Sequence, residues 1–171
     1  MSFQSTVSLQ QGFGVPGELF TDGPYRAESF TLVSALAAYN IIGKTAYTVT
    51  SQGVAQAGAG GTLGFAGILV DPKNQALYGV SGNALSPTLV LPNQAQAELL
   101  TMGTIIVTLP AAAAIGDYVI YDDTTGALET MAPGPTLPGG KSFANALVDY
   151  YTVSGAGLAV ITVSPALVIP T

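Results

Sequence analysis

The sequence predicts an all-β domain, built as a sandwich or a barrel. Three observations carry that prediction. β-branched and aromatic residues gather in short runs, as at 104–109 and 158–163, and such residues suit a pleated surface. The chain's 21 glycines and 11 prolines fall between those runs, where turns belong. No long stretch keeps the 3.6-residue apolar period of a helix, which disfavours an α/β fold. No repeat of fixed period is present.

The clearest element is the stretch 115–128, Ile-Gly-Asp-Tyr-Val-Ile-Tyr-Asp-Asp-Thr-Thr-Gly-Ala-Leu. Its Tyr118–Tyr121 portion reads as a strand, Asp122 to Gly126 as turn chemistry, and Ala127-Leu128 as a returning strand. The stretch is therefore a hairpin with a loop of about four residues.

The other elements follow in order. Residues 1–24 are dense in Gly and Pro, with an extended piece such as 3–9 between them. They read as an arm lying on something else, and an irregular opening turn of the same domain fits them equally. Residues 29–33 form a strand. Residues 34–39 suit one helical turn with Ser34 as its N-cap. Residues 44–50 form a strand with Thr45, Tyr47 and Val49 on one face. The Gly-, Ala- and Gln-rich 52–62 is expected to be a mobile loop. Residues 64–70 and 75–80 are strands joined by a turn at 71–74 with Pro72 at its second position. Residues 88–91 are strand-like. Residues 95–100 fit a helical turn or an extended edge, and 104–109 is a strand. After the hairpin, 131–141 is a proline-rich surface loop. Residues 148–153 and 158–163 are strands, and 165–171 is an apolar tail with a proline at each end. The expected division is an arm at 1–24, a single β domain at 25–164 and a tail at 165–171.

Composition narrows the function. Only 8% of the residues are charged, against about 25% in ordinary soluble domains. Four cations, Arg26, Lys44, Lys73 and Lys141, and a net charge of −6 argue against nucleic acid and against anionic membrane surfaces. The start lacks the basic-then-apolar pattern of a secretory signal. The most apolar run, 105–115, is broken by Pro110 and falls short of the roughly 20 residues that span a bilayer. With no Cys and no His, disulfides, thiol chemistry and His-based nucleophilic catalysis are excluded. A chain this apolar and weakly charged is expected to expose neutral patches that face partners.

The motif-like stretches do not hold up as sites. Gly139-Gly140-Lys141-Ser142 resembles the end of a phosphate loop, but Pro135 stands where that motif needs Gly. Gly58-Ala59-Gly60-Gly61 and Gly155-Ala156-Gly157 lack the third glycine and the following helix of a dinucleotide site. Asp122 and Asp123 lack the further oxygen ligands of a calcium loop and read as a solvated hairpin tip. No catalytic residue, cofactor or metal is expected, and no enzyme.

Four stretches together resemble the structural cement, or head decoration, proteins of tailed bacteriophages. They are Gly12-Phe13-Gly14-Val15-Pro16-Gly17-Glu18 with Asp22-Gly23-Pro24-Tyr25-Arg26; Phe65-Ala66-Gly67-Ile68-Leu69-Val70-Asp71-Pro72-Lys73; Glu98-Leu99-Leu100-Thr101-Met102-Gly103 running on through Ala111 to Tyr121; and Gly155-Ala156-Gly157-Leu158-Ala159-Val160-Ile161-Thr162. The resemblance implies a jelly-roll-like β module, made in the host cytoplasm, on the outer surface of the virion head. There it would bridge neighbouring major capsid subunits, with its own copies touching as dimers or trimers at symmetry axes. It supplies no catalytic residue.

Physical reasoning agrees, since repeated binding to a lattice needs apolar burial and backbone pairing more than charge. The expected protein contacts are Phe3, Phe13, Val15 and Pro16 in the arm, Pro133, Pro135 and Leu137 in the proline-rich loop, and Leu167 and Ile169 in the tail. The competing expectation is a host-surface, glycan-binding β module of a fibre or tail.

Overall fold

A computed structural model describes residues 14–20, 23–58, 64–71, 90–134 and 136–165. The fold is all-β, as expected. Its strands are β1 (Arg26–Leu32), β2 (Ala46–Ser51), β3 (Val54–Ala57), β4 (Phe65–Leu69), β5 (Gln96–Leu109), β6 (Tyr118–Asp122), β7 (Leu128–Met131), β8 (Lys141–Asp149) and β9 (Gly157–Val163). Among the described residues the sole helical element is a 3-10 turn, Ala37–Tyr39, and no helix is long and apolar enough to cross a membrane.

Five strands close into a ring. β1 pairs with β3 in parallel, and the antiparallel pairs β3–β2, β2–β4, β4–β5 and β5–β1 complete the circuit. The far half of β5 leaves this small barrel and pairs with β9, opening an antiparallel sheet that continues through β8 and β6 to β7. A barrel and a sheet therefore share one 14-residue strand. Phe30, Leu32, Tyr47, Leu69 and Leu99 fill the barrel. Ile105, Val107, Val119, Tyr121 and Ile161 form a second core, where the sheet packs on Ala46, Ile68 and Leu100 of the barrel wall.

β5 can serve both layers because its alternation slips by one residue. Ala97 and Leu99 point into the barrel, yet Ile105, Val107 and Leu109 fall in the core between barrel and sheet. Pairing with β1 passes from Ala27↔Leu100 to Arg26↔Met102, which leaves one extra residue on β5. Such a bulge bends a strand and re-aims its side chains. Gly103 follows it at φ +129, where a Cβ would lie 2.8 Å from the Cβ of Tyr25.

Several strands differ from their sequence-based bounds. Residues 52–62 are not simply a loop, since β3 lies within them. Ser34 is not an N-cap; Leu36 holds that place without a side-chain bond. Residues 95–100 are extended and continuous with β5. The strand expected at 148–153 is instead the end of β8, which began at Lys141 and stops at Tyr150, φ +60. The inward positions of β3 and β8 include Ala55, Ala57, Ala144 and Ala146, and alanine carries little strand signal. β2 is covered on both faces rather than one, with Ala46, Tyr47 and Thr48 all fully buried. Val90 bridges to Ile41. The expected strands at 3–9 and 75–80, and the turn beyond Asp71, lie outside the described residues.

One end of the barrel is closed by a polar cluster. The Ser34 and Tyr47 hydroxyls donate to Asn40 Oδ1 at 2.6 and 3.0 Å. Asn40 Nδ2 donates to the Leu91 carbonyl at 3.1 Å and to Asn93 Oδ1 at 3.0 Å. Asn93 in turn clasps both backbone groups of Ser34. Burial pushes the Tyr47 phenol up, so it stays a donor.

Candidate interaction surface

Asp122, Glu129 and Lys141 are engaged in structure. Asp122 Oδ1 accepts the Thr124 and Thr125 backbone N–H groups at 3.0 and 2.9 Å. Lys141 Nζ donates to Asp122 Oδ2 at 3.1 Å and to Glu129 Oε1 at 2.7 Å. Partial burial works against the Asp122 charge, but the Thr125 N–H, Lys141 and the Thr124 N–H outweigh it and lower its pKa to about 2. Lys141 is raised, chiefly by its bond to Glu129. The lysine of the phosphate-loop look-alike thus opens a strand and sits in a three-charge cluster. Among the described residues no three His, Cys, Asp or Glu side chains gather as metal ligands.

The hairpin turn is not a solvated tip. The Ala46 N–H donates to the Gly126 carbonyl at 2.8 Å, and the Leu128 N–H to the Lys44 carbonyl at 3.0 Å. Gly126 adopts φ +73, and a Cβ there would lie 2.5 Å from the Ala46 oxygen. The turn Asp122–Gly126 stitches the sheet to the barrel.

A cleft of about 200 Å³ opens between Arg26, Glu28, Phe30, Phe65, Thr101 and Asn145. Arg26 spans its rim, paired with Glu28 at 3.3 Å and donating to Thr101 Oγ1 at 3.1 Å. This volume is below the roughly 300 Å³ at which small-molecule pockets begin.

The informative surface is apolar. Residues 17–20 add to the free edge of β5: the Gly17 N–H donates to the Ile106 carbonyl, the Ile106 N–H to the Glu18 carbonyl, and the Phe20 N–H to the Thr104 carbonyl, all within 2.9 Å. This pairing holds the half-buried Pro16 and leaves Val15 52% exposed. Pro133 is exposed and Leu137 half-buried on the proline-rich loop. Phe3, Phe13, Pro135, Leu167 and Ile169 lie outside the described residues.

Sequence reasoning missed a further group. The ring of Phe20 meets those of Tyr150 and Tyr151 at 5.0 and 6.0 Å. Tyr150 and Tyr151 are 49% and 46% exposed. The adjacent tyrosines are the available signal, but the strand expected at 148–153 absorbs them.

No curated protein matches the chain. A solved chain from "The capsid of Myoviridae Phage XM1" has a similar fold, with TM-score 0.64 and 18% identity, covering 98% of this chain and 100% of that one. The family profile described as "Structural cement protein (E217 gp24/Pam3 gp6)" matches residues 3–164. A match over nearly the whole chain places it in the phage structural cement protein family.

Proposed function

We propose that the protein is a capsid cement that binds the outer surface of the assembled phage head and bridges neighbouring major capsid subunits. Family membership over residues 3–164 carries the reading. The weakly charged surface with its exposed apolar side chains supports it, because lattice binding repeats many weak contacts and draws its strength from their number. In this reading the segments flanking residues 25–164 reach across neighbours. Phe3, Phe13, Val15 and Pro16 make the arm contacts, and Leu167 and Ile169 make those of the tail. Pro133, Pro135 and Leu137 contact the shell from the proline-rich loop. Copies of the protein meet at symmetry axes.

The test uses expanded heads lacking this protein. The full chain should co-sediment with them, and an electron-microscopy map should show its density straddling shell subunits. Deleting residues 1–13 spares the 17–20 pairing with β5, so the domain should stay folded while head binding is lost. Full occupancy by that truncation would remove the arm from the proposal. Specific glycan binding without head binding would favour a host-surface module instead.

A further inference from the structure

We infer that Phe20, Tyr150 and Tyr151 form an aromatic docking patch for a cationic segment of the shell partner, a contact that rests on the cement reading. Phe20 precedes β1 and the tyrosines follow β8, so β5 and β9 lie between them in the sheet. The rings nevertheless meet, on the sheet face opposite the core between barrel and sheet. Leu19 packs against that core, and neighbouring side chains alternate along a strand. On the same outer face Ile106 and Val160 are buried.

Tyr150 holds φ +60, a left-handed conformation that a bulky L-residue rarely adopts. Asp149 fixes it there, its Oδ1 accepting the Tyr150 N–H at 2.8 Å and its Oδ2 the Thr162 hydroxyl at 2.9 Å. Strain kept at an exposed ring points to a use for that ring.

Charge selects the occupant. Glu18 lies two residues before Phe20, Asp149 adjoins Tyr150, and Asp117 joins β8 where its carbonyl accepts the Val148 N–H. Among the described residues the nearest cation along these strands is Arg26, which pairs with Met102 two residues from Thr104 on β5 and is itself paired with Glu28 at 3.3 Å; Lys141 lies eight residues back along β8, about 25 Å by strand rise, and is paired with Asp122 and Glu129. A second copy of the same patch would set carboxylate against carboxylate. An Arg or Lys side chain instead meets ring faces and an acidic rim together.

The experiment measures binding to expanded heads lacking this protein at about 50 and 500 mM salt, between which the screening length shortens about threefold, for the full chain and for Tyr150→Gly, Tyr151→Ser, Tyr151→Lys and Tyr151→Phe. Tyr150→Gly relaxes the left-handed backbone, so its melting temperature should not fall, which separates binding from folding. Tyr150→Gly and Tyr151→Ser should each weaken binding about 30-fold, the scale of an interface hot spot. Tyr151→Phe keeps the ring face and should bind as the parent does. Added salt should weaken the parent more than Tyr151→Ser. Unchanged affinity in both ring-removing variants, a salt-independent parent, or tighter binding by Tyr151→Lys overturns the inference. So does a change of self-association in these variants with head binding intact. If the parent itself ignores heads, the cement reading falls first.

Discussion

Replacing Asn40 by Ala tests the barrel's polar closure most directly. Asn40 is fully buried, and its amide makes four hydrogen bonds, to Ser34, Tyr47, Leu91 and Asn93. Ser34 Oγ also accepts the Ala57 N–H, and Asn93 Oδ1 also accepts the Ser34 N–H, so those two groups keep a partner. The Tyr47 hydroxyl and the Leu91 carbonyl lose theirs. Each orphaned buried group costs about 1–3 kcal/mol, so Asn40→Ala should destabilise the fold by about 3–5 kcal/mol once the vacated volume is included. That is a large share of the roughly 5–15 kcal/mol that holds a domain together. Urea unfolding should show a lowered midpoint with an unchanged slope. Tyr47→Phe removes one of the stranded groups and should cost only about 1 kcal/mol. The double variant Asn40→Ala/Tyr47→Phe should lose less stability than the two single variants' losses added together, since the phenol can no longer be orphaned. Strict additivity, or an Asn40→Ala loss below about 1 kcal/mol, would refute the argument.

Other expectations follow from single contacts. Asp122 has a folded pKa of about 2 against an ordinary value of 3.8, so its contribution is complete above about pH 4 and fades as pH falls towards 2. With its side chain 28% exposed, the contribution is about 1–2 kcal/mol; Asp122→Asn should lose it at pH 7 and flatten the acid limb of a melting-temperature profile. Gly103→Val forces a β-branched residue into φ +129 against Tyr25 and should cost more than about 2 kcal/mol, read as a lowered urea midpoint. A Gly103→Val protein as stable as the parent would mean that β5 does not turn between layers there.

Much of the strand inventory was legible because large or β-branched residues mark it. The runs at 104–109 and 158–163 and the hairpin at 118–128 announced themselves, and Gly126 announced the turn. β3 and most of β8 were not legible, because their inward positions are alanines that fit tight spaces without raising the apolar signal. The polar closure was equally hidden, since Ser34, Asn40, Tyr47 and Asn93 are ordinary turn and strand residues until folding gathers them. Among the expected contacts, Val15 and Pro133 do lie at the surface. The aromatic patch could not be read locally, because Phe20 precedes β1 while Tyr150 and Tyr151 follow β8.

The sequence by itself determined the β class, the hairpin, the poverty of charge and the resemblance to phage cement proteins, all properties of composition and nearest neighbours. Tertiary structure alone decided that one strand serves two layers, that residues 17–20 complete the edge of β5, and that Phe20 meets Tyr150 and Tyr151. The reason is physical: sheet pairing joins residues distant in the chain, and a side chain's role depends on what lies across the ladder from it.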